Sequence, residues 1–424
     1  MTNKKFDLVI FGATSFAGKI VCEYLIGEHL EPNLSWAMAA RSESKLKAFR
    51  LGLGEKASDI PLIIADSFDE PALIELCRQT HVVISTVGPF ALYGDMLVKT
   101  CAENGTDYCD LTGEAQWVRR MFLAYGDVAK ASGARLVNCC GFDSIPSDLG
   151  VKFLQQQAQL NFHNYCDKVR MRVKAVKGGA SGGTIASAIN IFKEAAANSD
   201  LRAELRDFYS LCPERHRNKA AQRNVHLEYD ADFKSWVGPF IMAGVNTRVV
   251  LRSNALNETP YAEQFYYDEG TLTGDGVAGE KKAKRSARFS RVGPMLLGIP
   301  PIRAIITRFF LPKPGQGPST EEQEAGFWDL RFMGTSVKGD KIWVKVTGDR
   351  DPGYGSSAKM LAQAGISLRR DVDKGDYGGG FWTPAAIFGD RFIERLQAYA
   401  GFTFELESIE PASVTLQESP MEQD

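Results

Sequence analysis

Short apolar runs alternate with amphipathic stretches through the first 150 residues of the chain. The apolar runs include FDLVIF, LSWAMAA, IPLIIA, HVVISTVG and ARLVNCCG, and each has the length of a buried strand. Between them, segments such as AGKIVCEYLIGEHL and DEPALIELCRQT space their apolar side chains three or four residues apart, as helices do. Alternating strands and helices of this kind form a parallel sheet covered on both faces. Residues 1–150 are therefore predicted to form a doubly wound α/β domain.

The pattern changes near residue 160, where CDKVRMRVKAVKG alternates apolar and charged positions. This alternation predicts a half-buried strand of an antiparallel sheet, with Arg170, Arg172 and Lys174 on a solvated face. Further strand candidates are VNTRVVLRSN, WDLRFMGTSVKG and KIWVKVTGD, of which the last two are predicted to form a hairpin. Residues 151–350 should thus form a second, α+β domain on an open, mainly antiparallel sheet.

Two helical patterns follow residue 351, in SSAKMLAQAGISLRR and TPAAIFGDRFIERLQAYAG. They predict that residues 351–424 contribute helices that return to the first domain. A length of 424 residues suits this organisation, because a single hydrophobic core rarely grows so large.

Net charge, the N-terminal sequence and the cysteine pattern argue against several classes of protein and so limit the expected partners and location. A formal net charge of −2 gives no overall attraction to nucleic acid, so no nucleic-acid partner is expected. The N-terminal sequence MTNKKFDLVIFGAT does not resemble a secretory signal. Eight cysteines are scattered without a C-x-x-C pair, which indicates reduced, buried thiols, no metal site and a cytoplasmic location.

Residues 281–313 are basic and apolar, with nine Lys or Arg side chains and no acid. Their longest uncharged run, residues 292–302, would cover about 16 Å as a helix, against about 30 Å for a hydrocarbon core. The segment therefore cannot span a membrane. It could lie on an anionic membrane surface, cover the site as a lid, or form a subunit interface. A homodimer through the second sheet is a further expectation.

The stretch FGATSFAGKIV follows the first strand and opens the first helix. A turn at this place must bend sharply and direct its N–H groups toward a pyrophosphate at the positive end of the helix. A first glycine can supply the bend and a last glycine the close packing, while the middle position, here Ser15, is small and could donate to a phosphate oxygen. The pattern predicts a Rossmann-type dinucleotide turn, although a purely structural turn is the alternative. The predicted cofactor contacts are Gly12, Ala13, Thr14, Ser15, Phe16 and Gly18.

The end of the second strand distinguishes between two cofactors. The sequence AARSESKL places Arg41 and Lys45, with Ser42 between them, where NAD-binding turns carry an acid. Cations favour a 2′-phosphate, so NADP is predicted rather than NAD, unless these residues merely begin a solvated helix. After the third strand, Asp66 is expected near the adenine. The turn after the fourth strand is expected near the nicotinamide ribose and comprises Val87, Gly88 and Pro89.

Polar side chains follow the later strands, whose carboxyl ends should meet at the ligand-binding edge of the sheet. Tyr93 and Asp143 are the candidate catalytic residues. Tyr93 or water is the preferred proton donor, because an aspartate with its ordinary pKa of about 3.9 is ionised at neutral pH. The candidate substrate contacts are Asp110, Thr112, Glu114 and Ser144. Each of these residues could alternatively be a helix cap or a turn residue.

Several segments together resemble one family, the saccharopine dehydrogenase-like oxidoreductases, in the branch that includes the trans-acting enoyl reductases. The resemblance rests on GATSFAG, VGPFALYGDMLVKTCAENGTDYCDLTGE, CCGFDSIPSDLG, LPKPGQGPS, DPGYGSSAKML and GGGFWTPAAIFGDRFIERL. It implies a Rossmann domain, a second α/β domain, a nicotinamide cofactor and the reduction of a C=C or C=N bond. Eukaryotic relatives are associated with membranes and lipid droplets. The family pattern has glycine where this chain has Ser15.

These observations favour an NADPH-dependent reductase that acts on a C=C bond of a lipid-like or polyketide substrate. Hydride would go to the β-carbon, and donors near Gly88, Gly141 or the Tyr93 hydroxyl would stabilise the enolate oxygen. One alternative is a saccharopine-type, imine-reducing dehydrogenase, which would need several cations to bind an amino-dicarboxylate. The other is a non-catalytic, cofactor-binding scaffold at a lipid surface.

Overall fold

The computed structural model describes residues 4–412 except 28–30, 32, 179–181, 215–219, 259, 263, 299–300 and 302–316. The described strands are β1 (Phe6–Phe11), β2 (Trp36–Ala40), β3 (Leu62–Ile64), β4 (Thr80–Ser85), β5 (Asp107–Asp110), β6 (Arg135–Val137), β7 (Cys166–Lys177), β8 (Glu228–Asp230), β9 (Ser235–Pro239), β10 (Tyr266–Gly274), β11 (Phe327–Ser336), β12 (Lys341–Gly348), β13 (Gly380–Trp382) and β14 (Phe402–Glu410). The described α-helices are α1 (Phe16–Ile26), α2 (Glu43–Gly52), α3 (Glu70–Gln79), α4 (Phe90–Tyr93), α5 (Asp95–Glu103), α6 (Ala115–Ser132), α7 (Ile145–Phe162), α8 (Gly182–Ala197), α9 (Ser199–Glu204), α10 (Ala243–Leu256), α11 (Gly276–Gly298), α12 (Thr320–Glu324), α13 (Ser357–Arg370), α14 (Pro384–Ile387) and α15 (Gly389–Tyr399).

The first sheet has seven parallel strands in the order β13-β6-β5-β4-β1-β2-β3. All six residues of β1 are buried, because helices cover both faces of the sheet. The chain order reverses between β1 and β4, and ligands of such sheets bind outside the carboxyl ends of the strands at this point. The predicted doubly wound domain is thus confirmed, and it positions the candidate site at this edge.

The second sheet also has seven strands, in the order β14-β12-β11-β7-β10-β9-β8. Only the pair β7–β10 is parallel among these described strands, and β11 and β12 form the predicted hairpin. The predicted open, mainly antiparallel sheet is therefore confirmed. The segment 351–424 contributes β13 to the first sheet and β14 to the second, besides its helices, and these two strands did not stand out in the sequence pattern.

The segment VNTRVVLRSN lies in helix α10, so its prediction as a strand is wrong. Nearly every side chain of α10 is buried, and its polar side chains bond to other segments. Arg252, for example, donates to the carbonyl oxygen of Phe381 at 2.8 Å, and Asn246 donates to Glu269 at 3.0 Å. Tertiary packing around a buried helix therefore outweighs the strand preference of its valine run.

Two of the three β7 cations predicted to be solvated are instead enclosed. Arg172 is fully buried and pairs with Asp230 at 3.0 Å and with Asp268 at 2.5 Å. Arg170 pairs with Asp230 at 2.9 Å. A buried guanidinium requires carboxylate partners, and these come from β8 and β10 of the same sheet, which the alternation within β7 could not reveal. Lys174 is exposed, as predicted.

Candidate cofactor and active site

The turn between β1 and α1 depends on two glycines. Gly12 has a φ of +88°, and a β-carbon there would lie 2.5 Å from the Val87 side chain. A β-carbon on Gly18 would lie 2.1 Å from the carbonyl oxygen of Gly12. These distances are far below van der Waals contact, so the strand, the turn and the first helix can meet this closely only without side chains.

Ser15 is the N-cap of α1 and accepts a hydrogen bond from the Gly18 amide at 2.9 Å. Its hydroxyl oxygen also lies 2.9 Å from the Thr86 hydroxyl oxygen. The Thr86 oxygen is also 3.1 Å from the carbonyl oxygens of both Phe11 and Gly12. Either hydroxyl can donate in the contact between Ser15 and Thr86, and this contact joins the turn to β4. The contact between Ser15 and a phosphate oxygen stays a prediction.

The remaining backbone of the turn fits a pyrophosphate. The turn amides that already bond within the protein are those of Gly12, Ala13, Ser15 and Gly18. The amides of Phe16 and Ala17 begin α1 and therefore have no carbonyl partner within the helix. They lie at the positive end of the helix dipole, where an anion is stabilised. Since glycines keep this cradle open, NADP fits the residues present.

Two later segments cover the turn at Phe16. The Phe16 ring packs edge-on against Tyr354, with 4.5 Å between the ring centroids. A β-carbon on Gly317 would lie 2.5 Å from the same ring. These contacts bring parts of LPKPGQGPS and DPGYGSSAKML onto the dinucleotide turn. Both motifs contribute to the family resemblance, but their position at the site was not predicted from the sequence.

The residues after β2 form an open, cationic corner. Arg41 and Lys45 are exposed, and Ser42 caps α2 by accepting from the Lys45 amide at 3.4 Å. Glu43 is the one acid between Arg41 and Lys45, and it pairs with Lys47 at 2.6 Å. The two cations are therefore available to a 2′-phosphate. In the neighbouring loop after β3, the Asp66 carboxylate accepts from the Phe68 amide at 3.0 Å.

The turn after β4 contains a cis peptide bond between Gly88 and Pro89. Gly88 is exposed, whereas Val87 and Pro89 are half-buried at the ligand-binding edge of the sheet. Tyr93, the last residue of α4, packs edge-on against Phe68, with 5.9 Å between the ring centroids. Tyr93 thus lies beside the loop that follows β3.

The Asp110 carboxylate is buried and fully engaged within the protein. It accepts from the Tyr108 hydroxyl at 2.9 Å and from the Asn138 side-chain amide at 2.7 Å. It also accepts from the backbone amides of Thr112 at 3.0 Å and Cys139 at 3.1 Å. Asp110 therefore fastens the loop after β5 to the loop after β6, and each of its two oxygens accepts two hydrogen bonds.

Three other predicted substrate contacts are also buried and hydrogen-bonded within the protein. Thr112 accepts from the Glu114 amide at 3.1 Å, and Ser144 donates to Asn246 at 3.2 Å. The Glu114 carboxylate accepts from the Phe90 amide at 2.7 Å. These residues therefore lie below the surface of the candidate site.

Asp143 differs from the other carboxylates of the site because it is half-buried and has no hydrogen-bond partner in the described part of the chain. Its Oδ2 lies 3.0 Å from the position of a β-carbon on Gly113, and the Met242 methyl carbon lies 3.7 Å from the same position. Burial raises the pKa of the Asp143 carboxyl to about 6. Such a group is partly protonated near neutral pH and can donate a proton. The ordinary pKa of an aspartate therefore does not hold for Asp143, because burial disfavours its charged form.

Other predictions concern cysteines, metals and membranes. All eight cysteines are buried and none forms a disulfide. The described residues contain no cluster of His, Cys, Asp and Glu suited to a metal ion. None of the described helices has the length and apolar character needed to cross a membrane.

Comparisons with known proteins agree with this architecture. The family profile described as the saccharopine dehydrogenase NADP binding domain matches residues 8–137. A Mycobacterium tuberculosis protein whose name assigns it provisionally to the trans-acting enoyl reductases is 35% identical over 419 residues, covering 94% of this chain and 96% of that protein. A trans-acting enoyl reductase of Mycobacterium bovis is 34% identical over 407 residues, covering 93% of this chain and 96% of that protein.

A solved structure supports the same fold. Apo saccharopine dehydrogenase (L-Glu forming) from Saccharomyces cerevisiae superposes with a TM-score of 0.53 at 11% identity, covering 96% of this chain and all of that one. The family predicted from the motifs, the oxidoreductase class and NADP as the cofactor are thus confirmed. The chain belongs to the saccharopine dehydrogenase-like oxidoreductases, together with the trans-acting enoyl reductases, and carries the NADP-binding domain of that family.

Proposed function

We propose that the protein reduces a C=C bond of an enoyl substrate with NADPH. The observation that carries this proposal is Asp143, a half-buried carboxyl at the ligand-binding edge of an NADP-binding sheet that has no hydrogen-bond partner among the described residues. Bound NADPH supplies a hydride, which goes to the β-carbon of the substrate. Asp143 then gives its proton to the α-carbon and is restored from solvent. The names of the mycobacterial relatives also favour an enoyl substrate.

The charges of the second domain favour this reading over a saccharopine-type reaction. An amino-dicarboxylate would need free cations, but Arg170 and Arg172 are committed to aspartates. Arg248 and Arg252 are buried in α10 and donate to backbone carbonyl oxygens, that of Leu205 among them. These four arginines are therefore occupied by partners within the chain. A neutral, lipid-like or polyketide acyl substrate suits this environment better.

The proposed function is tested by following NADPH oxidation with three sets of substrates. The first set contains trans-2-enoyl thioesters of increasing chain length, the second pairs amino acids with keto acids, and the third contains simple aldehydes and ketones. Turnover confined to the enoyl thioesters supports the proposal. Turnover confined to amino acid and keto acid pairs favours an imine-reducing dehydrogenase. NADPH binding without turnover of any set favours the non-catalytic scaffold.

Replacing Asp143 tests its role as proton donor. Asp143→Asn keeps the shape but has no proton to donate, so kcat should fall about a hundredfold or more. In the wild-type protein, kcat/KM should fall as the pH rises through about 6, because the acid form is lost. Steady-state rates across a pH series check both expectations. An unchanged kcat in the variant, with the same pH profile, would exclude Asp143 as the donor and leave Tyr93 or water.

Replacing Arg41 tests the contact with the 2′-phosphate. Arg41→Ala should weaken NADPH binding about tenfold and leave NADH binding unchanged, because only NADPH carries that phosphate. Titration followed by nicotinamide fluorescence measures both affinities. The matched control is Lys130→Ala, which removes an exposed cation in the last turn of α6 that pairs with Asp127 at 3.0 Å. Equal weakening by both variants would indicate a general charge effect instead of a specific contact.

The basic segment favours an anionic lipid surface as a partner. In α11 the side chains of Lys281, Lys282, Lys284, Arg285, Arg288 and Arg291 are exposed. Among them, Phe289 is 76% exposed and Val292 is 40% exposed. Ala283 on the opposite side of the helix is fully buried and faces β9. Residues 299, 300 and 302–313 of the predicted segment lie outside the described residues.

Vesicle binding tests this surface. The triple variant Lys281→Ala/Arg285→Ala/Arg288→Ala should lose about a hundredfold in affinity for vesicles containing phosphatidylglycerol, at about 1 kcal/mol per cation. Neither protein should bind pure phosphatidylcholine vesicles. Sedimentation with vesicles measures the bound fraction, and NADPH titration shows whether the variant remains folded. Equal binding of the variant and the wild-type protein would exclude this face as a lipid-binding surface.

A further inference from the structure

The Glu114 carboxylate is shared by two segments that are distant in the sequence. Its Oε1 accepts from the Phe90 amide at 2.7 Å and from the Ser187 hydroxyl at 2.8 Å. Its Oε2 accepts from the Ala91 amide at 3.1 Å. The side chain is fully buried and makes no ion pair within the described part of the chain. Uncharged donors alone thus hold this carboxylate, and they come from the turn after β4 and from α8.

The loop that carries Glu114 is itself anchored to the first, Rossmann-type domain. Its backbone amide donates to the Thr112 hydroxyl at 3.1 Å, and the Thr112 amide donates to Asp110. The side chain therefore projects from a loop that is anchored at the end of β5. From there it fixes the first turn of α4, which directly follows the cis peptide bond at Pro89.

Helix α8 belongs to the second half of the molecule and reaches the same place. Its residues 186–192 are half-buried, and residues 182–192 carry no charged side chain. Besides the bond between Ser187 and Glu114, an ion pair joins Glu194 of α8 to Arg120 of α6 at 3.5 Å. Gly113, which adjoins Asp143, immediately precedes Glu114 in the chain. Helix α8 therefore borders the candidate active site on its substrate side.

We propose that Glu114 is a positioning residue that couples the cofactor-binding turn at Gly88–Phe90 to helix α8. A ligand that rests against the turn fixes Phe90 and Ala91, these amides fix the carboxylate, and the carboxylate fixes Ser187. Occupation of the nicotinamide end of the site thus orders the wall along which the substrate lies. The inference rests on the proposed function only in that NADPH is the ligand of the turn.

Glu114→Gln tests the first half of this coupling. Glutamine has nearly the same size, but its amide group has only one acceptor oxygen for three donors. NADPH affinity should fall about tenfold. The affinity for adenosine 2′,5′-bisphosphate, which lacks the nicotinamide half, should not change. Fluorescence titration and calorimetry measure the two affinities. Equal weakening of both ligands, or no weakening of NADPH binding, would overturn the proposal, because a merely structural role does not distinguish the two ends of the cofactor.

Ser187→Ala tests the second half and keeps the bonds from Phe90 and Ala91 to Glu114. Hydrogen exchange of the amides in residues 186–192 should slow when NADPH binds to the wild-type protein, and this protection should be lost in the variant. Ser199→Ala is the matched control, because Ser199 begins the neighbouring helix α9 and, among the described residues, its hydroxyl bonds only to Asp200 at 3.5 Å. Protection that persists in Ser187→Ala would overturn the coupling. Neither readout needs an acyl substrate, so an absence of enoyl reduction alone would reject the proposed reaction and not this inference.

Discussion

Gly18→Ala is expected to abolish NADPH binding. The added β-carbon would lie 2.1 Å from the Gly12 carbonyl oxygen and 2.8 Å from the Thr86 hydroxyl oxygen. Neither the turn nor the end of β4 can move away, because Ser15 joins them through hydrogen bonds. The helix must then shift from the sheet, which displaces the first amides of α1 and costs at least about 2 kcal/mol of folding free energy. Nicotinamide fluorescence and thermal unfolding measure the two effects.

Gly126→Ala is the matched control for this variant. Gly126 lies within α6, and a β-carbon there would meet nothing within 4 Å. Alanine is the better helix former, so this change should stabilise the fold by about 0.5–1 kcal/mol and leave NADPH binding intact. If Gly18→Ala bound NADPH as tightly as Gly126→Ala, the close approach of α1 to the turn would not matter for the cofactor.

Asp110→Ala should destabilise the whole ligand-binding edge of the first sheet. Four donors would lose their acceptor, those of Tyr108, Thr112, Asn138 and Cys139. Each buried donor without a partner costs about 1–3 kcal/mol, so a total loss of about 4 kcal/mol or more is expected. Chemical unfolding measures this loss, and NADPH binding should weaken as well, because the loops after β5 and β6 separate.

Asp110→Asn tests whether the hydrogen bonds of Asp110 stabilise the fold, or only the presence of a side chain of this size. Its oxygen can still accept from the amides of Thr112 and Cys139. Its amide group would face Asn138, whose Oδ1 has no partner in the described part of the chain, and a flip of Asn138 would create a new bond. The variant should therefore lose much less stability than Asp110→Ala. Equal losses in the two variants would show that the hydrogen-bond network does not account for the role of Asp110.

Hydrophobic periodicity was sufficient to predict the first domain. The apolar runs around β1 and β4 are strands because both faces of a parallel sheet are buried, and this requirement is visible in the sequence. Hydrophobic periodicity did not identify helix α10, because a helix that is buried on all sides has no polar face. β13 has only three residues, which is too short for any period. Its place in the first sheet depends on pairing with β6.

The candidate site was found in outline because parallel strands bring their carboxyl ends to one edge. The direction of each side chain could not be deduced from that rule. Asp110 turns toward Asn138, and Ser144 turns toward Asn246; these contacts join residues that are 28 and 102 positions apart in the sequence. Asp143 has no such partner in the ranges that the structure describes. A polar residue after a strand is therefore a reliable sign of the site but not of a role in it.

The most direct test of the proposed reaction is a transfer experiment with NADPH that carries deuterium at the reactive carbon of its nicotinamide. The enzyme is incubated with this cofactor and a trans-2-enoyl thioester, and mass spectrometry and NMR locate the label in the product. The account predicts one deuterium at the β-carbon and a solvent-derived proton at the α-carbon. Label that stays in the cofactor with every enoyl thioester, but passes to the carbon of an imine formed from an amino acid and a keto acid, would contradict it.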